Sequence, residues 1–388
     1  MKKTKNTFSV LIPDAETFAF PYILHCMSDV KNIRLFVMST KKDFPLRYSR
    51  YVHRFFFFPK KNNQLEWIDN INKITDEHGI DVIMPIHEIG IKTLIEHKAL
   101  LFQNINKLVP LPSLQNFTIA GSKDLLADHL NRLGIPGPNT APLTIDLLED
   151  RDRLKLSFPI LVKPLKSGSG RGIVKFEDHE SLAGYFKIKG LNEAYILQEF
   201  IKGAEYGCNV LCKDGEILAY TIQKGNLWDP AKPYSSQIGL EFLYEDKLYQ
   251  TVKKLMKSLN WSGVADLDLL YDHQKDVFYI LEINPRFWAT LTAAHLAGVN
   301  YPYLLISMTM KEDFGPQHYK HIGYVVLKGL KPYFKKNKAL IFKMGFIWQS
   351  TPLKYKIYDP IPIVYKFIQR NKLILFGKIQ KLFLKKKV

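Results

Sequence analysis

Cysteine is scarce: the 388 residues hold three, Cys26, Cys208 and Cys212, with no Cys-x-x-Cys pair. That count and spacing argue against a disulfide framework and for a reducing compartment. No apolar stretch approaches the roughly 18 residues that a membrane-crossing helix needs. The basic start, Met1-Lys2-Lys3-Thr4-Lys5, precedes no run long enough for the core of a signal peptide, so a cytoplasmic location is expected and secretion is not. The first strand-to-helix turn, Ile12-Pro13-Asp14-Ala15-Glu16, lacks Gly-x-Gly-x-x-Gly, which disfavours an ordinary dinucleotide site there. Acids are nearly missing from the end: of 55 basic and 37 acidic residues in all, Lys331 to Val388 holds 15 and one (Asp359), leaving 40 and 36 elsewhere. The body is close to balanced and the tail strongly basic.

Apolar residues make up 46% of the chain, ample for packing, and the length exceeds one ordinary core, so two or three lobes are expected. Phe8 to Ile12 reads as a buried strand, Glu16 to Met27 as a helix and Ile33 to Met38 as a second strand. Leu65, Ile68, Ile71 and Ile74 put one apolar face on a helix from Asn63 to His78; Asp81 to Pro85 returns to strand and Ile89 to His97 to helix. This alternation predicts a small parallel sheet covered by helices over residues 1–115. Ser122 is placed to cap a helix from Lys123 to Leu133 that Gly134 stops. From Pro159 to Asn284 strand signals dominate, at 160–163, 173–176, 195–200, 206–211, 216–223, 266–271 and 277–283, with hairpin turns at Lys213–Glu216 and Asp272–Lys275. The fold class expected is α/β followed by an antiparallel-rich α+β region, with a basic helical tail.

Three features carry chemistry. In Val162-Lys163-Pro164 followed by Lys166-Ser167-Gly168-Ser169-Gly170-Arg171-Gly172, the alternating glycines let backbone N–H groups approach a phosphate chain while Lys163, Lys166 and Arg171 balance its charge. No Gly-Lys-Ser or Gly-Lys-Thr closes this loop and a strand follows it, so it is not a Walker loop; a flexible hairpin with solvated charges is the plain alternative. Next, Asp268 lies on one strand and Leu281-Glu282-Ile283-Asn284-Pro285-Arg286 on the following one. If the two strands form a hairpin, the period of two puts Asp268, Glu282 and Asn284 on one face. Such an all-oxygen set suits Mg²⁺ completed by phosphate and water oxygens, and acids that interrupt an apolar strand are costly without a partner. Third, the strand around Gln198, Glu199 and Ile201 turns into a linker ending at Glu205, which suits an adenine edge and a ribose; alone it is an ordinary strand end.

Taken in order, the Lys123 helix, the Lys163 strand with its glycine loop, the linker to Glu205 and the Asp268, Glu282, Asn284 set resemble the ATP-grasp superfamily over residues 115–300. They look like its carboxylate-amine ligase branch, which includes D-alanine ligases and the carbamoyl-phosphate synthase type. The resemblance implies a Rossmann-like pre-ATP-grasp domain at 1–115, a two-lobed ATP-grasp domain at 116–310 with a lid lobe near 155–205, and a basic extension at 311–388. It implies that Lys123 and Lys163 contact ATP phosphates beneath a lid from Lys166 to Gly172, including Gly168 and Gly170. Gln198, Glu199 and Ile201 would line the adenine pocket and Glu205 would hold the ribose. Asp268, Glu282 and Asn284 would bind Mg²⁺ or Mn²⁺, with Arg286 on the transferred phosphate. Where D-alanine ligases carry an arginine two residues before the first metal ligand, this chain has Asp266, and Arg171 or Lys224 is the replacement cation expected.

The activity implied is ADP-forming amide synthesis through an acyl phosphate, on small carboxylate and amine substrates. An ATP-grasp carboxylase or phosphotransferase, or a non-catalytic ATP-binding regulator, is the alternative. His87-Glu88, at the end of a predicted strand, and Lys224, Trp228, Tyr234 and Ser235 are the candidate substrate contacts; a helix start and a surface loop are the plain readings. In residues 360–388, Ile361, Val364, Ile368, Leu375, Ile379 and Leu382 recur at helical spacing among Lys366, Arg370, Lys378 and Lys381. An interfacial helix on an anionic membrane, on its inner face, and a helix packed on the body are both open readings. The first would suit a cell-envelope or polysaccharide precursor as substrate. Nucleic acid is a weaker candidate because no base-reading module is present, and a homo-oligomer is compatible with the sequence.

Overall fold

A computed structural model describes residues 7–59, 64–165, 170–228, 237–336 and 344–372. Strands β1 (Phe8–Ile12), β2 (Ile33–Ser39), β3 (Val52–Phe57) and β4 (Val82–Ile83) form a parallel sheet in the order β3-β2-β1-β4. The run from Ser9 to Ile12 is buried throughout, as strands covered on both faces must be. Its helices are α1 (Phe20–Met27), α2 (Gln64–His78) and α3 (Glu88–Glu96). On α2, Ile68, Ile71 and Ile74 are buried, but Leu65, expected on the same face, lies exposed in the first turn. The helix expected from Glu16 starts four residues later, because Asp14 to Ala19 form the turn that leaves the sheet.

Helices α4 (Leu114–Gly121) and α5 (Lys123–Leu133) follow, the second with the predicted bounds. The Ser122 hydroxyl, expected to cap α5, instead donates to Asp124, so the helix start is held by Ser122 only through its backbone carbonyl. A small antiparallel sheet comes next: β5 (Thr140–Pro142), β6 (Ile160–Pro164), β7 (Val174–Phe176) and β8 (Tyr195–Glu199), in the order β5-β8-β6-β7. Helices α6 (Ile145–Glu149) and α7 (His179–Lys189) pack on it around Ile160, Leu182, Phe186 and Leu197. This unit begins at β5, ahead of the expected lid start at residue 155.

The largest sheet holds β9 (Ala204–Lys213), β10 (Glu216–Trp228), β11 (Gln237–Phe242), β12 (Gly263–Asp272), β13 (Val277–Asn284) and β14 (Gly323–Val325), in the antiparallel order β13-β12-β9-β10-β11-β14. β14 lies past residue 310, so the sheet crosses the expected domain boundary there. One face packs α5 and α8 (Asp246–Ser258) over Cys208, Val210, Ile222, Leu267 and Trp261, all fully buried. The opposite face carries the polar residues described below. The two hairpins form as expected: Asp214 and Gly215 take positive φ in the first, while Asp272 accepts from the backbone N–H of Gln274 and Lys275 in the second.

Strand β12 starts at a close contact. Gly263 has φ +98°, and a Cβ there would stand 2.7 Å from the Pro110 carbonyl oxygen. Gly263→Ala is therefore expected to cost about 2–4 kcal/mol, the sum of backbone strain and overpacking. The shift of the urea midpoint measures it, and a change below about 0.5 kcal/mol would mean that the contact gives way freely.

Candidate active site

The polar face of the large sheet is organised in two rows that cross four strands. In the first, Thr221 on β10, Asn209 on β9, Asp266 on β12 and Asn284 on β13 are successive cross-strand neighbours. They form a chain of hydrogen bonds: Thr221 donates to the Asn209 side-chain oxygen at 3.1 Å, the Asn209 amide donates to Asp266 at 2.7 Å, and the Asn284 amide donates to Asp266 at 3.3 Å. The Tyr301 hydroxyl donates to the Asn209 backbone carbonyl at 2.9 Å and fixes the row from below. In the second row, Gln223, Gly207, Asp268 and Glu282 stand opposite one another in the same strand order. Asp268, Glu282 and Asn284 thus share a face, as their spacing predicts.

Asn209, Thr221 and Gln223 escaped the sequence reading. Each is a polar residue in an otherwise apolar strand, two apart from another polar position or a glycine, and that signal was available. Which strands lie side by side was not.

Burial sets the electrostatics. It pushes the Asp268 carboxyl well above the usual range, and the neighbouring carboxylates of Asp266 and Glu282 push the same way. Asp266 rises to about 7, chiefly through burial and against the pull of Arg286. Lys163, buried on β6, falls to about 8 through loss of solvation, with Glu282 and Asp268 opposing the fall and Lys123 adding to it. Its ammonium donates to the Gln198 side-chain oxygen, and Gln198 donates onward to Thr140 at 3.1 Å. The Gln198 side chain thus holds the lysine in this structure.

The remaining expected residues are placed unevenly. Glu199 receives the Asn139 amide at 2.9 Å, and its own N–H is spent on the Asn139 carbonyl. Ile201 is buried just beyond β8, and Glu205, at the start of β9, accepts from the Trp228 indole at 2.7 Å. Gly170 and Gly172 both take positive φ, and a Cβ on Gly172 would meet the Pro164 ring at 2.8 Å. Lys166, Gly168, Tyr234 and Ser235 lie outside the described residues. Of the two replacement cations, Arg171 lines the site cavity, whereas the Lys224 ammonium lies 5.5 Å from the centre of the Tyr206 ring.

That cavity, about 460 Å³, opens between the sheets and is walled by Glu88, Lys123, Arg171, Glu282, Asn284 and Arg286 among others. The Arg286 guanidinium donates to the Asn284 side-chain oxygen and to the Phe287 carbonyl, both at 2.9 Å, and lies over the Phe18 ring at 4.8 Å. His87 caps α3 weakly, accepting from the Ile89 N–H at 3.5 Å, and Glu88 opens the helix toward the cavity. The helix-start reading of this pair therefore holds.

Asp14 holds the loop that carries His87 and Glu88. Its carboxyl accepts from the Ile86 N–H at 3.0 Å and the His87 N–H at 2.9 Å, while burial raises it from 3.8 to about 7. Between those values the folded chain keeps a proton that the unfolded chain has released, so stability falls as pH rises from about 4 through 7. Asp14→Asn removes the Asp14 share of this slope. The melting temperature of the wild type should fall relative to that of the variant as pH rises across that range, and parallel curves would contradict the assignment.

The family described as "ATP-grasp in the biosynthetic pathway with Ter operon" matches residues 192–328. Carbamoyl-phosphate synthase of Methanobrevibacter smithii is 24% identical over 62% of this chain and 67% of its own. Residues 192–328 match an ATP-grasp domain. D-alanine–D-alanine ligase of Buchnera aphidicola is 32% identical over 34% of the chain and 45% of the ligase, and the chain spans about half the length of the D-alanine ligases it matches. An ADP complex of N5-carboxyaminoimidazole synthetase from Staphylococcus aureus shares the fold, with TM-score 0.64 at 15% identity over 86% of this chain and 88% of that one. The ATP-grasp fold thus extends well beyond residues 192–328.

Proposed function

We propose that this chain is an ATP-dependent carboxylate-amine ligase that releases ADP and phosphate. The observation that carries the reading is a cavity walled by Lys123, Arg171, Glu282, Asn284 and Arg286, with Asp268 opposite Glu282 on the hairpin and the Lys163 ammonium within electrostatic reach of both carboxylates. Relatives named for carbamoyl-phosphate synthesis and D-alanine ligation support it.

The donor set fits a hard cation. Three carboxylates crowd together, two of them neighbours across a hairpin, and their mutual repulsion is what a divalent ion relieves. Among the described residues no group of three or more His, Cys, Asp or Glu side chains could hold a metal ion by itself, so this site would need an amide oxygen and phosphate oxygens to complete it. Mg²⁺ would be held by Asp268 and Glu282, with the Asn284 oxygen and phosphate or water oxygens completing it, and would supply charge neutralisation at the phosphates. The Asn284 oxygen now accepts from Arg286. For it to serve as a ligand the amide must turn over, which releases the guanidinium into the cavity.

The chain's own residues then act by position and charge. Lys163, kept rigid by Gln198, and Lys123 bind phosphate oxygens. A substrate carboxylate oxygen attacks the terminal phosphorus, its bond to ADP breaks, and Arg286 and Arg171 neutralise the transferred group. An amine attacks the activated acyl carbon, phosphate leaves, and the amine proton passes to solvent or phosphate. Glu88, on the far wall, is placed to receive a cationic or hydroxyl group of the acceptor. Purified protein with ATP, Mg²⁺ and pools of acids and amines should release ADP, and hydroxylamine should trap the activated acyl group as a hydroxamate. ADP release without hydroxamate for any acid pool would point away from acyl activation.

A further inference from the structure

After the last described strand, residues 353–372 lie against the first helix and the loop before β3, and hold a helix with an unusual arrangement. The helix Leu353–Tyr358 is clamped to the body: the Tyr355 ring stacks on His25 at 4.5 Å, Asp359 accepts from the Arg50 N–H at 3.1 Å, and the Ser49 hydroxyl donates to the same carboxylate. A second helical stretch, 361–372, follows directly. At about 100° per residue, Pro362, Tyr365 and Gln369 fall on one narrow face, and these are the residues that it buries or half-buries, with Tyr365 against Tyr48 at 4.4 Å. The opposite arc holds Ile361, Ile363, Val364, Phe367 and Ile368, all exposed, Phe367 by 65% and Val364 by 54%. Lys366 and Arg370 flank that arc on one side and Lys372 lies toward the other.

A helix docked by its polar and aromatic minority, with its aliphatic arc turned to solvent, is the reverse of ordinary packing. We infer that this face is an interfacial anchor that lays residues 361–372 on an anionic phospholipid surface. Charge selects the occupant: from Lys331 onward the chain has 15 basic residues and one acid, and that acid, Asp359, is already used on Ser49 and Arg50. A second copy would bring the same cations against themselves, and a nucleic acid would leave the aliphatic arc without a partner. No helix among the described residues is long and apolar enough to cross a membrane, so the helix lies on the surface. Each basic residue at such a surface adds to binding and is screened by salt.

The test is co-sedimentation of the full chain with vesicles of phosphatidylcholine alone and of phosphatidylcholine with phosphatidylglycerol. Binding is expected only to the second, weakened at least tenfold when salt is raised from about 0.1 to 0.5 M. Val364→Ser with Phe367→Ser, and separately Lys366→Glu with Arg370→Glu, should each lower it at least tenfold with the melting temperature unchanged. Equal or absent binding to the two vesicles overturns the inference, as does wild-type binding by either double variant. So do light scattering that shows a dimer dissolved by Val364→Ser with Phe367→Ser, and binding of duplex oligonucleotide in place of vesicles.

Discussion

Glu282→Ala is expected to lower ATP-dependent product formation by at least 100-fold, a loss typical of removing a group that stabilises charge in the transition state. The residue sits opposite Asp268 on the hairpin and lines the cavity with Lys123 and Arg286. Stability should hold or rise, because the substitution relieves the repulsion that pushes Asp268 upward. Steady-state ADP release together with a melting curve separates the two effects. Activity within threefold of wild type would sink the assignment of this face as the phosphate and metal site, whereas loss of activity together with unfolding would call for Glu282→Gln, which keeps the shape and removes the charge.

The second large effect is on stability. Asp266→Arg places at this position the residue type that D-alanine ligases carry, and is expected to destabilise by about 3–5 kcal/mol, the range for leaving buried polar partners and a charge uncompensated. Asp266 is 9% exposed and accepts from Asn209 and Asn284, both through amide N–H groups. Arginine has no acceptor to offer them, and its charge would face Arg286. A urea midpoint within about 1 kcal/mol of wild type would show that the row tolerates a cation, and that an arginine is missing for a reason other than the network.

The expected replacement for that arginine looks different once the row is seen. Sequence treats Asp266 as a gap in a positive site. In the structure it is the hub of a hydrogen-bonded chain running from Thr221 to Asn284, whose last member also holds Arg286. Of the cations nearby, Arg286 and Arg171 wall the cavity, whereas Lys224 lies over Tyr206.

Much of the local structure was legible. Strand Phe8–Ile12 and helix Lys123–Leu133 have the predicted bounds, and the Asp268 to Asn284 hairpin follows from alternation and a turn. β3, β5, β11 and β14 were not read. The first is an edge strand of mixed aromatic and basic residues, the others are short or lack a clean alternation, and each is defined by the neighbour it pairs with. Leu65 fits the helical period and yet is exposed, in the first turn of α2.

The sequence alone determined the elements and the donor types, since both depend on periodicities of two and 3.6 residues and on which side chains carry charge. Tertiary structure decided which donors meet. Asn209, Thr221 and Gln223 join Asp266 and Asp268 only because β9 lies between β10 and β12, and Gln198 meets Lys163 only because β8 pairs with β6. Strand order is a contest between distant segments for the same hydrogen-bonding edge, and nothing in the local pattern of one strand records its outcome.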